Sequence, residues 1–121
     1  MLRLLLVEDE AVVAMMVEDM LADLGCRSVL PVGSVAAAMS RIADSSFDGA
    51  LLDVNIGGEP VFPVARALRS RGIPFAFVTG YGQAGIPGEF ADRPVLQKPF
   101  GSGQLAAVVT RTFGTARPNP I

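Results

Sequence analysis

The residues of this sequence best suited to chemistry stand directly after short apolar runs. Glu8, Asp9 and Glu10 follow residues 4–7, Asp53 follows residues 50–52, Thr79 follows residues 75–78, and Lys98 follows residues 95–97. Each has an ordinary explanation alone. Acidic residues favour the positive end of a helix dipole, a threonine at a strand end offers a hydroxyl to its neighbours, and Lys98-Pro99 reads as a turn. Brought to one edge, the same groups suggest a phosphoryl-handling site. Glu8, Asp9 and Asp53 would repel one another there. A hard divalent cation relieves that repulsion, and Mg²⁺, with Mn²⁺ as a substitute, prefers such oxygen ligands. The cation also neutralises charge on an incoming phosphoryl group. Asp53 can then act as a carboxylate nucleophile and form an aspartyl phosphate. Lys98 supplies a compact positive charge for one phosphoryl oxygen, and Thr79 a hydroxyl donor for another. The backbone carbonyl of Asn55, two residues beyond Asp53, is a further candidate metal ligand.

These groups need strands that end together. Residues 4–7, Ser28–Val32, residues 50–53, residues 75–78 and Val95–Gln97 read as short strands. Between them, residues 11–24 carry Val13, Met16, Val17, Met20, Leu21 and Leu24 at helical spacing, with Gly25 as the stop. Met16 and Met20 are expected in the core; Val12 and Met15 fall off that stripe. Ser34 can cap a second helix to about residue 43. Residues 60–71 read as a third helix ended by Gly72, and Ser102–Phe113 as the last. Strands alternating with helices imply a parallel sheet with right-handed crossovers. The expected fold is α/β and flavodoxin-like: five parallel strands in the order 2-1-3-4-5, helices on both faces, and ligands beyond the carboxyl ends of the strands. The segment 80–88, Gly-Tyr-Gly-Gln-Ala-Gly-Ile-Pro-Gly, lies where a fourth helix belongs. Interior Gly costs about 1 kcal/mol and Pro about 3 kcal/mol relative to Ala, so that helix is expected to be short or absent, with at most a turn near residues 89–91.

Composition narrows the field. The chain has 121 residues, enough for one domain; residues 1–114 are expected to form it, with 115–121 a frayed tail. Lys+Arg number 10 and Asp+Glu 12, a net charge of -2, which offers no basic stripe for nucleic acid. There is no His, hence no imidazole base, His metal ligand or phosphohistidine. Cys26 is the only cysteine; it forms no intramolecular disulfide and reads as a small residue at the end of the first helix. A free thiol fits a reducing cytoplasm. The apolar start is too short for a membrane span and lacks the layout of a signal peptide.

Four pieces, Leu4-Leu5-Leu6-Val7-Glu8-Asp9-Glu10, Leu51-Leu52-Asp53-Val54-Asn55, Phe77-Val78-Thr79-Gly80 and Gln97-Lys98-Pro99-Phe100, resemble the receiver domains of two-component systems in type, order and spacing. The resemblance covers nearly the whole chain. It implies phosphorylation at Asp53, Mg²⁺ on Glu8, Asp9, Asp53 and the Asn55 carbonyl, a switch through Thr79, Gly80 and Lys98, and a cis bond between Lys98 and Pro99. Phe75-Ala76-Phe77-Val78-Thr79-Gly80-Tyr81-Gly82 is similar to a single-domain subgroup with a poorly formed fourth helix, Val78 departing from that pattern. Many receivers carry an aromatic three residues before the lysine. Here Val95 stands there, and Tyr81 is the candidate gating residue in its stead. Gly57 replaces a common proline, which implies a looser loop after Asp53.

The resemblance implies a response regulator of a bacterial phosphorelay, a signalling switch that catalyses only its own phosphoryl transfer and dephosphorylation. A sensor histidine kinase or histidine phosphotransfer protein would donate the phosphoryl group, and a downstream protein would read it. Val12 and Met15, beside the expected pocket, are candidate partner contacts. The chain is expected to be a monomer or weak dimer, with no nucleic-acid or membrane partner. Phosphorylation is expected to draw in the segment after Thr79 rather than flip a preformed switch. Two alternatives compete. A pseudo-receiver would bind partners without phosphorylation, against which the intact acidic set and Lys98 argue. An Asp-nucleophile phosphohydrolase would want a second Asp where Asn55 stands, and a cap insertion that the sequence lacks.

Overall fold

Every residue from Leu4 to Val7 is buried, and successive side chains go to opposite faces of the sheet. Leu5 and Val7 enter one core, Leu4 and Leu6 the other. Strands buried on both faces are the mark of a parallel sheet covered by helices on each side. The computed structural model describes residues 2–80 and 85–114. Its elements in chain order are β1 (Arg3–Val7), α1 (Ala11–Asp23), β2 (Ser28–Val32), α2 (Val35–Asp44), β3 (Gly49–Asp53), β4 (Asn55–Ile56), β5 (Glu59–Pro60), α3 (Phe62–Ser70), β6 (Phe75–Thr79), a 3-10 turn (Gly88–Phe90), β7 (Val95–Gln97) and α4 (Ser102–Phe113). The main sheet runs β2-β1-β3-β6-β7, every pairing parallel. With the small antiparallel β4–β5 hairpin set aside, this is the expected flavodoxin-like 2-1-3-4-5 order.

The two faces have separate cores. Ala14, Val17 and Leu21 of α1 join Leu105, Val108 and Val109 of α4 on one side. Ala38 and Ile42 of α2 join Val64, Ala65 and Leu68 of α3 on the other. Ser34 caps α2 as expected, its Oγ accepting the Ala37 N–H at 3.0 Å.

Among the described residues no α-helix lies between β6 and β7; the 3-10 turn stands where one was expected to be short or absent. Among the described residues, Phe90 of this turn packs into the core on the face that a helix would have covered, with Ile86 half-buried against the same core. Phe90 is fully buried, with ring centroids 5.9, 5.6 and 6.1 Å from those of Phe75, Phe77 and Phe62. Glu89 beside it pairs with Arg66 at 2.8 Å and Arg69 at 3.0 Å, and the Arg69 guanidinium lies 4.9 Å from the Phe90 ring centroid. The turn is thereby tied to α3 from outside as well as inside.

At one edge of the sheet proline replaces a donor. The Val32 carbonyl accepts the Glu8 N–H at 3.0 Å, so its neighbour Pro31 faces outward on β2. On the far edge β7 has three residues and ends at Lys98-Pro99.

Three expectations are corrected. Met16 is 54% exposed and not in the core; the inward side of α1 is Ala14, Val17 and Leu21, with Val13 and Met20 half-buried. An unbroken apolar run from Ala11 to Val17 leaves the phase of the helix open to packing. The third helix begins at Phe62, not residue 60, because Glu59–Pro60 is β5. The loop after Asp53 is not loose: Gly57 and Gly58, at φ 58° and 86°, form the two-residue turn of a tight hairpin of type I′. Tyr81 and the tail 115–121 lie outside the described residues. No helix among those described is long and apolar enough to cross a membrane.

Candidate functional site

Parallel pairing brings the carboxyl ends of β1, β3, β6 and β7 to one edge. Val7 pairs with Leu52, Asp53 with Val78, and Thr79 with Gln97. The next residues out are therefore Glu8, Asp53, Thr79 and Lys98. A hydrogen bond from the Lys98 N–H to the Thr79 carbonyl, 2.8 Å, locks the last two strand ends together. Carboxylate oxygens of Glu8, Asp9 and Asp53 all lie within 4.8 Å of one another.

Their surroundings differ. Glu8 is buried, 6% exposed, and its Oε2 accepts the Glu10 N–H at 3.0 Å. Burial pushes the Glu8 carboxyl up to about 7, with the Asp53 charge adding to that, against the opposing pull of the Glu10 N–H and Lys98. Asp9 is exposed and its Oδ2 accepts the Gly57 N–H at 2.9 Å. Asp53 is partly buried, and its Oδ1 accepts the Asn55 N–H at 3.4 Å. Lys98 Nζ donates to Asp53 Oδ2 at 2.8 Å and to Glu8 Oε1 at 3.5 Å. Burial alone would lower the Lys98 pKa; the hydrogen bond and charge of Asp53, with Glu8 adding, raise it above the ordinary lysine value. Thr79 is buried at the strand end and Gly80 is exposed. The Lys98–Pro99 peptide is cis.

The donor set suits a hard cation: three carboxylates, all oxygen, no sulfur or imidazole. A backbone oxygen is at hand as well. Asn55 faces Pro60 in the hairpin, and the Val61 N–H bonds the Val54 carbonyl at 2.9 Å. Asn55 thus occupies a pair whose own N–H and carbonyl point away from the partner strand. Its N–H points to Asp53, and in extended chain the carbonyl of the same residue points to that side too.

Val12 and Met15 are 69% and 63% exposed on α1, which begins beside the cluster. Other residues of the same helix, Val13, Met16, Val17 and Met20, line an open apolar cavity of about 210 Å³ with Lys98, Pro99 and Phe100. Val95 is half-buried against the aromatic core and pairs with Phe77. Sequence reasoning missed the Gly57 contact to Asp9; the Gly57-Gly58 pair, a two-residue hairpin signal, could have found it.

No family model and no curated protein matches the sequence. Solved structures do. SdrG from Sphingomonas melonis Fr1, known from a solution structure, is 46% identical over 91% of this chain and 94% of its own, with a TM-score of 0.80. The BeF3-activated conformation of SdrG from Pseudomonas melonis Fr1 is 44% identical, covering 89% of this chain and 92% of that one, with a TM-score of 0.76. The receiver domain of the sensor histidine kinase PA1611 from Pseudomonas aeruginosa PAO1, with a magnesium ion coordinated in its active site cleft, is 25% identical over 93% of this chain and 98% of that one, with a TM-score of 0.76.

Proposed function

The chain belongs to the response-regulator receiver family, and on that premise we propose that it is a phosphorylation-controlled switch with Asp53 as its phosphoacceptor. The observation that carries this reading is the cluster itself: Glu8, Asp9 and Asp53 oxygens within 4.8 Å, with Lys98 Nζ 2.8 Å from Asp53 Oδ2. Glu8, Asp9, Asp53 and the Asn55 carbonyl would hold Mg²⁺. When bound, the cation would supply charge neutralisation for the acidic cluster and the phosphoryl group.

This chain's own groups do the rest. An Asp53 oxygen attacks phosphorus; the bond to the donor's leaving group breaks, and the phosphoryl group becomes a mixed anhydride on Asp53. Lys98 then moves from pairing with the free carboxylate to pairing with a phosphoryl oxygen, and the Thr79 hydroxyl, one residue beyond the Asp53 register, donates to another. Gly80 follows Thr79 and transmits its displacement. A histidine kinase or histidine phosphotransfer protein is the donor, docking on Val12 and Met15 of α1, the helix that also lines the apolar cavity. Residues 1–114 form the working domain, and the signal leaves through protein contacts in the cytoplasm.

Incubation of the protein with Mg²⁺ and acetyl phosphate tests this by intact mass. The wild type should gain one phosphoryl group and Asp53→Asn none. No gain, or an equal gain in Asp53→Asn, rejects the phosphoacceptor reading and leaves the pseudo-receiver.

A further inference from the structure

Main-chain N–H groups of a single hairpin hold two of the three clustered carboxylates. Asn55 in β4 donates to Asp53 Oδ1 at 3.4 Å, and the turn residue Gly57 donates to Asp9 Oδ2 at 2.9 Å. Asp9 itself is exposed and sits at the start of the loop into α1. A Cβ at Gly57 would meet nothing within 4 Å, so space does not demand glycine there. The backbone does: at φ 58° the chain is left-handed, and that turn is what directs the N–H back across the site to Asp9.

We propose that Gly57 is a positioning residue for the metal centre: its N–H holds Asp9 through one carboxylate oxygen and leaves the other for the cation. This deepens the receiver reading and rests on its Mg²⁺ site. Like-charged carboxylates tend to swing apart, and an N–H donated to an ionised oxygen is among the stronger hydrogen bonds. Holding Asp9 in place before the cation arrives removes an ordering cost from binding. Partners of metal ligands in this position are worth about 10–100-fold in metal affinity. The proline common at this position in the family has no N–H and could not make the contact; in this chain the glycine turn makes it.

The experiment is a Mg²⁺ titration of the ¹⁵N-labelled full chain, read by NMR. Without metal, the Gly57 amide should lie downfield and resist exchange, and should lose both properties in Asp9→Ala. With Mg²⁺ it should keep them. Gly57→Pro should bind Mg²⁺ about tenfold more weakly, whereas Gly57→Asn, which tolerates the left-handed backbone and keeps the N–H, should bind as wild type does. Gly58→Ala strains the same turn but retains the Gly57 donor, and should also bind as wild type does. Release of the Gly57 amide on adding Mg²⁺, wild-type affinity in Gly57→Pro, or equal weakening in Gly58→Ala would each overturn the positioning role while leaving the metal site standing. A wild-type spectrum unmoved by Mg²⁺ would instead remove the metal site, and the positioning role with it.

Discussion

Lys98 and Asp53 are joined by an ion pair of 2.8 Å across the carboxyl edge of the sheet, and the same ammonium reaches Glu8 at 3.5 Å. Lys98 is thus the counter-charge for two carboxylates that a cation would also claim. On the proposed function, phosphoryl transfer to Asp53 would break this pairing and reuse its donor.

Lys98→Ala should therefore separate two effects. Mg²⁺ should bind more tightly, since a competing positive charge is gone. Phosphoryl uptake from acetyl phosphate should slow by about 10–100-fold, the worth of a charged hydrogen bond of about 1.5–3 kcal/mol. Metal titration and time-resolved mass measurement read the two independently.

Mg²⁺ affinity should depend on pH through Glu8. Its carboxyl titrates at about 7 instead of the ordinary 4.5, and a protonated carboxyl is a poor ligand, so affinity should fall as pH drops through that value. The metal-free fold should show the opposite trend. Between 4.5 and about 7 the folded state holds a proton that the unfolded state has lost, so this group's contribution to stability is full below 4.5 and declines as pH rises. Titrations in Glu8→Gln should lose both dependences.

Phe90→Ala should destabilise the domain by about 3–5 kcal/mol, as loss of a buried phenylalanine does, and denaturant melts will show it. Glu89→Gln, which breaks only the exposed pairs with Arg66 and Arg69, should cost far less, and that small loss should vanish in high salt.

Met15→Asp should slow transfer from a phosphohistidine protein by about tenfold, a loss of about 1.4 kcal/mol at the contact. Labelling by acetyl phosphate, which needs no docking surface, should be unchanged. Because Met15 is exposed, the melting midpoint should barely move.

Much of this was legible beforehand because it rests on local pattern. The strands at residues 28–32 and 95–97 and the helix at 102–113 have the expected bounds, since apolar alternation and turn residues bracket them closely. The 3-10 turn that stands among the described residues where a fourth helix belongs followed from Gly and Pro alone. What was not legible depends on tertiary packing. Along α1 the apolar residues run too densely for periodicity to say whether Ala14 or Met16 faces inward; the sheet decides for the smaller Ala14. The β4–β5 hairpin is too short to show alternation. The Asp9–Gly57 contact joins residues far apart in sequence, which no local pattern reports.

The margins of the sheet bear on how this protein can be read by others. Strand-on-strand recruitment needs a ladder of free main-chain groups; here one rim lacks the Pro31 rung and the other is only three residues long. On the proposed function, a partner that reads the phosphorylated state is therefore expected to grip side chains on helices and loops rather than add a strand at the Pro31 rim.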